Sequence, residues 1–272
     1  MKTSRLKSIV IAILLLVNIF LFVLLLGRQN QQRAAYERSV EQLSILLSDN
    51  GIDFDTALLP RDVSISTIEL SRSNDEESAF AEKLLGKAVS RSVGGGIYIY
   101  ENDAGSCQFR SNGTVEGTLS CYVSNPTAFC EDIFRNWGYH MDDEAYAQAL
   151  AVNDSGSGTI SALREIDGHL VFAAPLSLTF ENSTLVSVSG SFLPEAASLK
   201  GAECMDAVSA VVHFLDYRNA NGLVCTEITC LSCGYLLQDS SSVSTRLVPV
   251  WCIATDAGNY YVNCATGSIT RG

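Results

Sequence analysis

The chain has 272 residues, 47% of them hydrophobic and 18% charged, which excludes a disordered tail and a collagen-like repeat and points to a globular protein. Lys and Arg number 18 against 30 Asp and Glu, a net charge of −12, so the basic face that nucleic-acid binding requires is missing. The imbalance is also uneven: residues 1–27 hold Lys2, Arg5 and Lys7 with no acid, leaving 15 basic against 30 acidic side chains beyond them.

A basic, apolar start ahead of an acidic body is the pattern of a membrane-bound protein with a soluble exterior domain. The 18 residues 9–26 contain one hydrophilic side chain, Asn18, and a stretch of that length is about what a helix needs to cross roughly 30 Å of hydrocarbon. A cleaved signal peptide shares the basic flank and apolar core but ends in a small-residue cleavage site. The run Leu24-Leu25-Leu26-Gly27-Arg28-Gln29 offers none. The positive flank belongs in the cytoplasm, so residues 1–8 are expected as a cytoplasmic tail and 9–27 as the anchor of a single-pass cell-membrane protein, with the C-terminal domain extracytoplasmic. Asn18 would lie near mid-membrane, where an amide gains either from bonding its own helix's carbonyls or from a hydrogen bond to a partner helix. It is a candidate partner-contact residue.

Residues 28–50 form a juxtamembrane segment in which Tyr36, Val40, Leu43 and Leu47 recur at helical spacing among polar residues, giving one apolar stripe. Asn50-Gly51 is its C-terminal stop. The stripe has two readings, packing on the chain's own domain or contact with a partner, and all four residues are carried forward as candidate contacts.

The exterior is read as an N-terminal subdomain over 51–124 and a C-terminal one over 125–272. A helix is predicted over 76–88, then strands over 97–100, 107–110 and 115–119 separated by turn sequences around Asn102-Asp103 and Asn112-Gly113. The order recurs: helices over 127–137 and 142–149, then strands near 160–164, 169–180 and 185–192 with Asn182-Ser183 as a hairpin turn. A third round opens with a helix over 203–217 and continues through strands in 224–237, 245–255 and 260–263. Helix followed by antiparallel strands, three times over, predicts an α+β fold with helices packed on curved antiparallel sheets.

Motifs for catalysis or phosphate binding do not stand out. The runs Gly94-Gly95-Gly96 and Ser155-Gly156-Ser157-Gly158 lack the flanking pattern of a phosphate cradle. His140, His169 and His213 fall in three separate predicted elements, so any His-based centre would have to be assembled by tertiary folding. Asp142-Asp143-Glu144 suits a helix N-terminus better than a calcium loop. The nine Cys residues include Cys225, Cys230 and Cys233, but on a strand, offsets of three and five point to opposite faces and disfavour one shared metal. Most are expected as reduced, buried apolar residues, with Cys252–Cys264 as a possible bridge across adjacent strands. No catalytic residue, cofactor or metal is expected.

The closing segment carries Gly234-Tyr235, then Leu247-Val248-Pro249-Val250-Trp251, Gly258-Asn259-Tyr260-Tyr261-Val262-Asn263 and Thr266-Gly267. With the anchor sequence Ile13 to Leu21, the Leu47 to Pro60 region and the 168–180 segment, these residues make the chain resemble the YycI/YycH-type regulatory proteins of low-GC Gram-positive bacteria. Their end is also similar to PepSY-type domains. The resemblance implies a non-enzymatic, membrane-anchored regulator of a two-component system in cell-wall homeostasis. Its implied partners are the WalK (YycG) sensor histidine kinase and a sister single-span regulator. The alternative is an anchored PepSY-like binding or inhibitory module for an exported peptidase or cell-wall enzyme. Pro249 beside Trp251 suits an edge strand, and Trp251 and Tyr260 are read either as core or as lining a groove for a partner strand.

Overall fold

The computed structural model describes residues 17, 18, 20–22, 31, 33–61, 63–141, 155–194, 196–198, 204–238 and 244–272. The helix expected over 142–149 and most of the apolar stretch 9–26 lie outside the described residues. Asn18 sits in helical backbone and is exposed. Among the described residues no helix is long and apolar enough to cross a membrane.

Among the described residues four helices pack on the sheet, and the last three each begin after a residue whose side chain accepts from a free backbone amide. The first, α1, covers 33–49. The second, α2 (Asn74–Leu85), is capped by Ser73, whose Oγ accepts from the Glu76 amide. Helix α3 (Pro126–Asn136) has Pro126 in its first turn and Asn125 as its cap. Helix α4 (Ala207–Asn221) starts after Asp206, which accepts from the Ser209 amide, and stops at Gly222 in the left-handed conformation.

The strands, in chain order, are β1 (Ile68–Ser71), β2 (Val89–Gly94), β3 (Ile97–Asn102), β4 (Gly105–Phe109), β5 (Thr114–Tyr122), β6 (Tyr139–His140), β7 (Gly158–Ile166), β8 (His169–Phe172), β9 (Leu176–Glu181), β10 (Thr184–Ser191), β11 (Ala196–Ser198), β12 (Ile228–Gln238), β13 (Ser244–Thr255), β14 (Gly258–Asn263) and β15 (Ile269–Arg271). They hydrogen-bond in the order β11-β1-β13-β12-β8-β7-β9-β10-β5-β4-β3-β2, with β14 on β13, β15 on β14 and β6 on β7. The pairings are antiparallel apart from β8 with β12. The α+β class and the antiparallel-dominated sheet are therefore as expected.

One core lies under α2 and α3, where Phe80, Phe109, Phe134, Phe180 and Phe192 pack with Ile133 and Leu178. A second lies under α1 and α4, where Leu43, Leu47, Phe214, Trp251 and Tyr260 meet. Strand β7 joins the two halves: Gly158–Ala162 pair with β9 and Glu165–Ile166 pair with β8. A subdomain boundary at 124/125 would cut through the first core, because β5 before it pairs with β10 after it. The first two of the three predicted rounds thus close into one sheet, and the third builds on segments from both ends of the chain.

Other differences have local causes. The strand expected over 169–180 is two, β8 and β9, because Ala173 takes a positive φ of 56° and Pro175 follows it, breaking the ladder. The Asn182-Ser183 turn forms as expected, with φ values of 49° and 60°, the conformation that a two-residue hairpin favours. Gly190 takes φ +116°, and a Cβ there would collide with the Pro175 carbonyl oxygen, so the β9–β10 end closes only over a bare backbone.

Pro249 corrects the edge-strand expectation. Strand β13 is internal, with β12 along one side and β1 then β14 along the other. The β1 register ends at Leu247 and the β14 register begins at Val250. The Pro249 carbonyl faces this second side, accepting from the Cys264 amide at 3.0 Å. A residue's missing N–H points the same way as its carbonyl, so Pro249 puts its lost donor into the gap between two neighbours, where no ladder bond is forfeited.

Candidate functional site

The stripe on α1 resolves into two parts. Leu43 and Leu47 are each 2% exposed and belong to the second core, with half-buried Val40 packed against it. Trp251 and Tyr260 are each 1% exposed in the same core, and the Tyr260 ring packs against Phe214 at 5.1 Å. This corrects the partner-contact reading of Leu43, Leu47, Trp251 and Tyr260: side chains so enclosed have no surface left to offer, and the packing alternative accounts for them. The hydrophobic spacing could not decide this, because a stripe that meets a partner and one that meets the chain's own sheet have the same period.

Tyr36, one turn before Val40, has a different setting. It lines a cleft of about 770 Å³ together with Arg33, Glu37, Pro60, Arg61, Val63, Cys204, Met205, Asp206, Ala207 and Trp251. Four elements build it: α1, the Pro60 loop, the start of α4 and Trp251 of β13. The Arg61 guanidinium stacks on the Tyr36 ring at 5.5 Å, which ties the loop to the helix. On the opposite wall the Trp251 Nε1 donates to the Met205 carbonyl at 2.9 Å, and the Met205 amide donates to the Cys264 carbonyl at 3.2 Å. Asp206 spends its carboxylate on Ser209, accepting from the amide at 2.8 Å and the hydroxyl at 3.1 Å. Among the described residues, two cations, Arg33 and Arg61, and one acid other than Asp206, Glu37, line the cleft around the Tyr36 ring. Such a lining suits a mixed apolar and polar segment better than a bare anion.

Behind this wall Cys204 is bridged to Cys264. The Cys252–Cys264 bridge considered from sequence does not form, for a reason of register. Cys252 stands opposite Tyr261, whereas Cys264 bonds to Pro249, three residues from Cys252, and an odd offset on a strand turns the side chain to the other face. The other seven Cys are unbridged: Cys107, Cys130, Cys225 and Cys252 are buried, Cys121 and Cys233 half-buried and Cys230 exposed, so four of the nine fit the expectation of a free and buried residue. Cys225, Cys230 and Cys233 do not converge. Instead, the sulfurs of Cys204, Cys233 and Cys264 all lie within 4.8 Å of one another. Sequence spacing gave no sign of this, since the three come from separate elements.

Burial pushes the Cys107 and Cys233 thiols up to about 12 and Cys252 up to about 11. A thiol raised in the folded state contributes stability that is full below its unfolded pKa, about 8.5, and is lost as pH climbs toward its folded value. The melting temperature is therefore expected to fall progressively between pH 9 and pH 11, and a Cys107→Ala, Cys252→Ala variant should show a shallower alkaline slope. Thermal melts across pH 7 to 11 check this, and a flat profile up to pH 11 would refute it.

The three His remain apart, as expected. His140 Nδ1 lies 3.6 Å from Glu165 on an exposed surface, the His169 ring contacts the Cys233 carbonyl at 3.1 Å, and His213 on α4 packs against the Gly267 turn.

No protein-family model matches the chain, and no curated protein matches it. Among solved structures, it is similar to an uncharacterized protein from Eubacterium rectale ATCC 33656, with a TM-score of 0.44 and 15% identity over 77% of this chain and 86% of that one. It is also similar to the Bacillus megaterium YpeB C-terminal domain, with a TM-score of 0.37 and 9% identity over 74% of this chain and 98% of that one.

Proposed function

We propose that the chain is a membrane-anchored regulator that acts by protein contact, its anchor and exterior domain together biasing a sensor histidine kinase between two signalling states. The observation that carries this reading is mechanical. Helix α1 follows the apolar segment in sequence and ends inside the second core, through Leu43 and Leu47. Its C-terminal turn is held by Asn219 Nδ2 donating to Asn50 Oδ1 at 3.0 Å, and Asp53 then exchanges backbone bonds with Thr226 at 2.8 Å and Ile228 at 3.0 Å. A force on the exterior domain is thereby delivered to the helix nearest the membrane. The kinase and a sister single-span regulator, as partners, come from the YycI/YycH resemblance of the sequence, and the PepSY-like character of the closing strands comes from the same source.

The test is affinity purification of the tagged full-length chain from solubilised membranes. Co-purification of a sensor histidine kinase is expected. Recovery of an exported peptidase or cell-wall enzyme without any kinase would overturn this reading in favour of an anchored inhibitory module. Within the same experiment, Asn18→Leu should preserve membrane insertion and weaken kinase recovery by at most about tenfold. An interhelical amide bond is worth roughly 0.6 to 2 kcal/mol, and roughly 1.4 kcal/mol is one decade of affinity. Undiminished recovery would move the contact from the anchor to the exterior domain.

A further inference from the structure

We infer that Cys204, Cys233 and Cys264 form one sulfur-exchange site, in which the Cys233 thiol competes with Cys204 for Cys264. The three sulfurs lie within 4.8 Å of one another, two of them already bonded across a sequence separation of 60. Cys233 sits in β12, Cys204 two residues before the α4 cap, and Cys264 one residue beyond β14. Packing of the second core therefore brings them together, independently of any partner or membrane.

The exchange balances internally. Cys233 loses its proton to water, and its sulfur attacks Cys264 Sγ. The Cys233–Cys264 bond forms as the Cys204–Cys264 bond breaks, and the electron pair leaves on Cys204, which then takes up a proton. No electron enters or leaves the protein. Attack at Cys264 is favoured over attack at Cys204 by the leaving group: Cys204 is half-buried and lines the cleft, where water solvates a departing thiolate, whereas Cys264 is 4% exposed. Thiolate departure is faster where the charge is better stabilised.

Exchange changes the cleft. In the Cys204–Cys264 form, the bridge and the Met205 amide bond to Cys264 hold the wall that carries the Met205 carbonyl over Trp251. In the Cys233–Cys264 form, that wall loses its covalent tie and Cys204 becomes a free thiol inside the cleft. Because burial holds the Cys233 thiol at about 12, the attacking thiolate is scarce at neutral pH and its abundance rises tenfold with each pH unit.

The full-length chain tests this in two ways. In a Cys204→Ser variant incubated with oxidised glutathione, which is reduced as the two thiols join, peptide mapping under non-reducing conditions after an acid quench should find Cys233 linked to Cys264. Finding both as free thiols, under conditions that leave Cys204 and Cys264 linked in the wild type, would overturn the inference. In the wild type, pulse alkylation should label Cys204 at a rate that climbs about tenfold per pH unit from pH 7 to 9, and Cys233→Ser should lower that rate at least tenfold. Labelling of Cys204 unaffected by Cys233→Ser would overturn it. So would one equivalent of zinc retained by the purified wild type and lost from each single-Cys variant, since the three sulfurs would then be metal ligands.

Discussion

Glu77→Ala is expected to destabilise the fold by about 3–5 kcal/mol, the cost of stripping one partner from a buried ion pair. Glu77 and Arg72 have side chains only 7% and 14% exposed, with Arg72 Nε 2.7 Å from Glu77 Oε1. A second bond from Nη2 to Oε2 at 2.9 Å makes the pair bidentate, the geometry a guanidinium fork provides and an ammonium does not. Arg72 also donates to the carbonyls of Gly96 and Phe109 and stacks on the Tyr98 ring at 4.8 Å. It lies in the crossing between β1, whose Ile68 and Leu70 are buried with Tyr235 and Leu247, and α2 of the first core, so one side chain fastens a strand end, a helix start and the β3–β4 hairpin. Arg72→Lys keeps the charge but loses the fork, and should recover only part of the wild-type stability. Urea unfolding measures both variants. A loss below about 1 kcal/mol for Glu77→Ala would show the pair to be no stronger than an exposed one.

The Arg72–Glu77 pair also shows where reading the sequence stops. Of the elements it joins, α2 and the β3–β4 hairpin were legible, from the helical period and the Asn102-Asp103 turn; elsewhere the helix over 127–137, the Asn182-Ser183 hairpin and the long strands near the end also carry local signals. Strand β2 was not, because Val89, Arg91 and Val93 alternate with Ser in a segment exposed along its whole length and bury no face that would mark it. Strand β1 was missed because four residues are too few for periodicity to emerge. What no local pattern encodes is which segments meet. The return of β10 to β5 and the α1–α4 contact are long-range pairings, and they turned three apparent rounds into one continuous sheet with the two main cores on it. The same holds for the site. Tyr36 and Trp251 could be singled out as aromatics worth attention, but the cleft they share with the Pro60 loop, and the sulfur cluster behind it, exist only after segments from both ends of the chain have packed.

Trp251 is the residue through which packing and cleft depend on each other, and its truncation should be the costliest change in the second core. With 1% of its surface exposed, Trp251→Ala leaves a cavity that a sheet anchored by β12 and β14 cannot close, and large aromatic-to-Ala changes in such cores cost about 3–5 kcal/mol. Trp251→Phe separates the two jobs of the side chain. It keeps most of the apolar bulk but removes the Nε1 donor, so the Met205 carbonyl loses the part-buried bond it accepts at 2.9 Å, at a cost of about 0.5–1.5 kcal/mol because cleft water can reach the freed acceptor. Urea midpoints at unchanged m-value give both numbers. Hydrogen exchange adds a local readout: the Met205 amide, which donates to Cys264, should lose protection in the Phe variant while amides of the first core, such as that of Leu178 in β9, keep theirs. Equal losses of protection in both cores would mean that the Trp251 bond supports the whole fold. A loss confined to Met205 and its neighbours would place its role in holding the cleft wall.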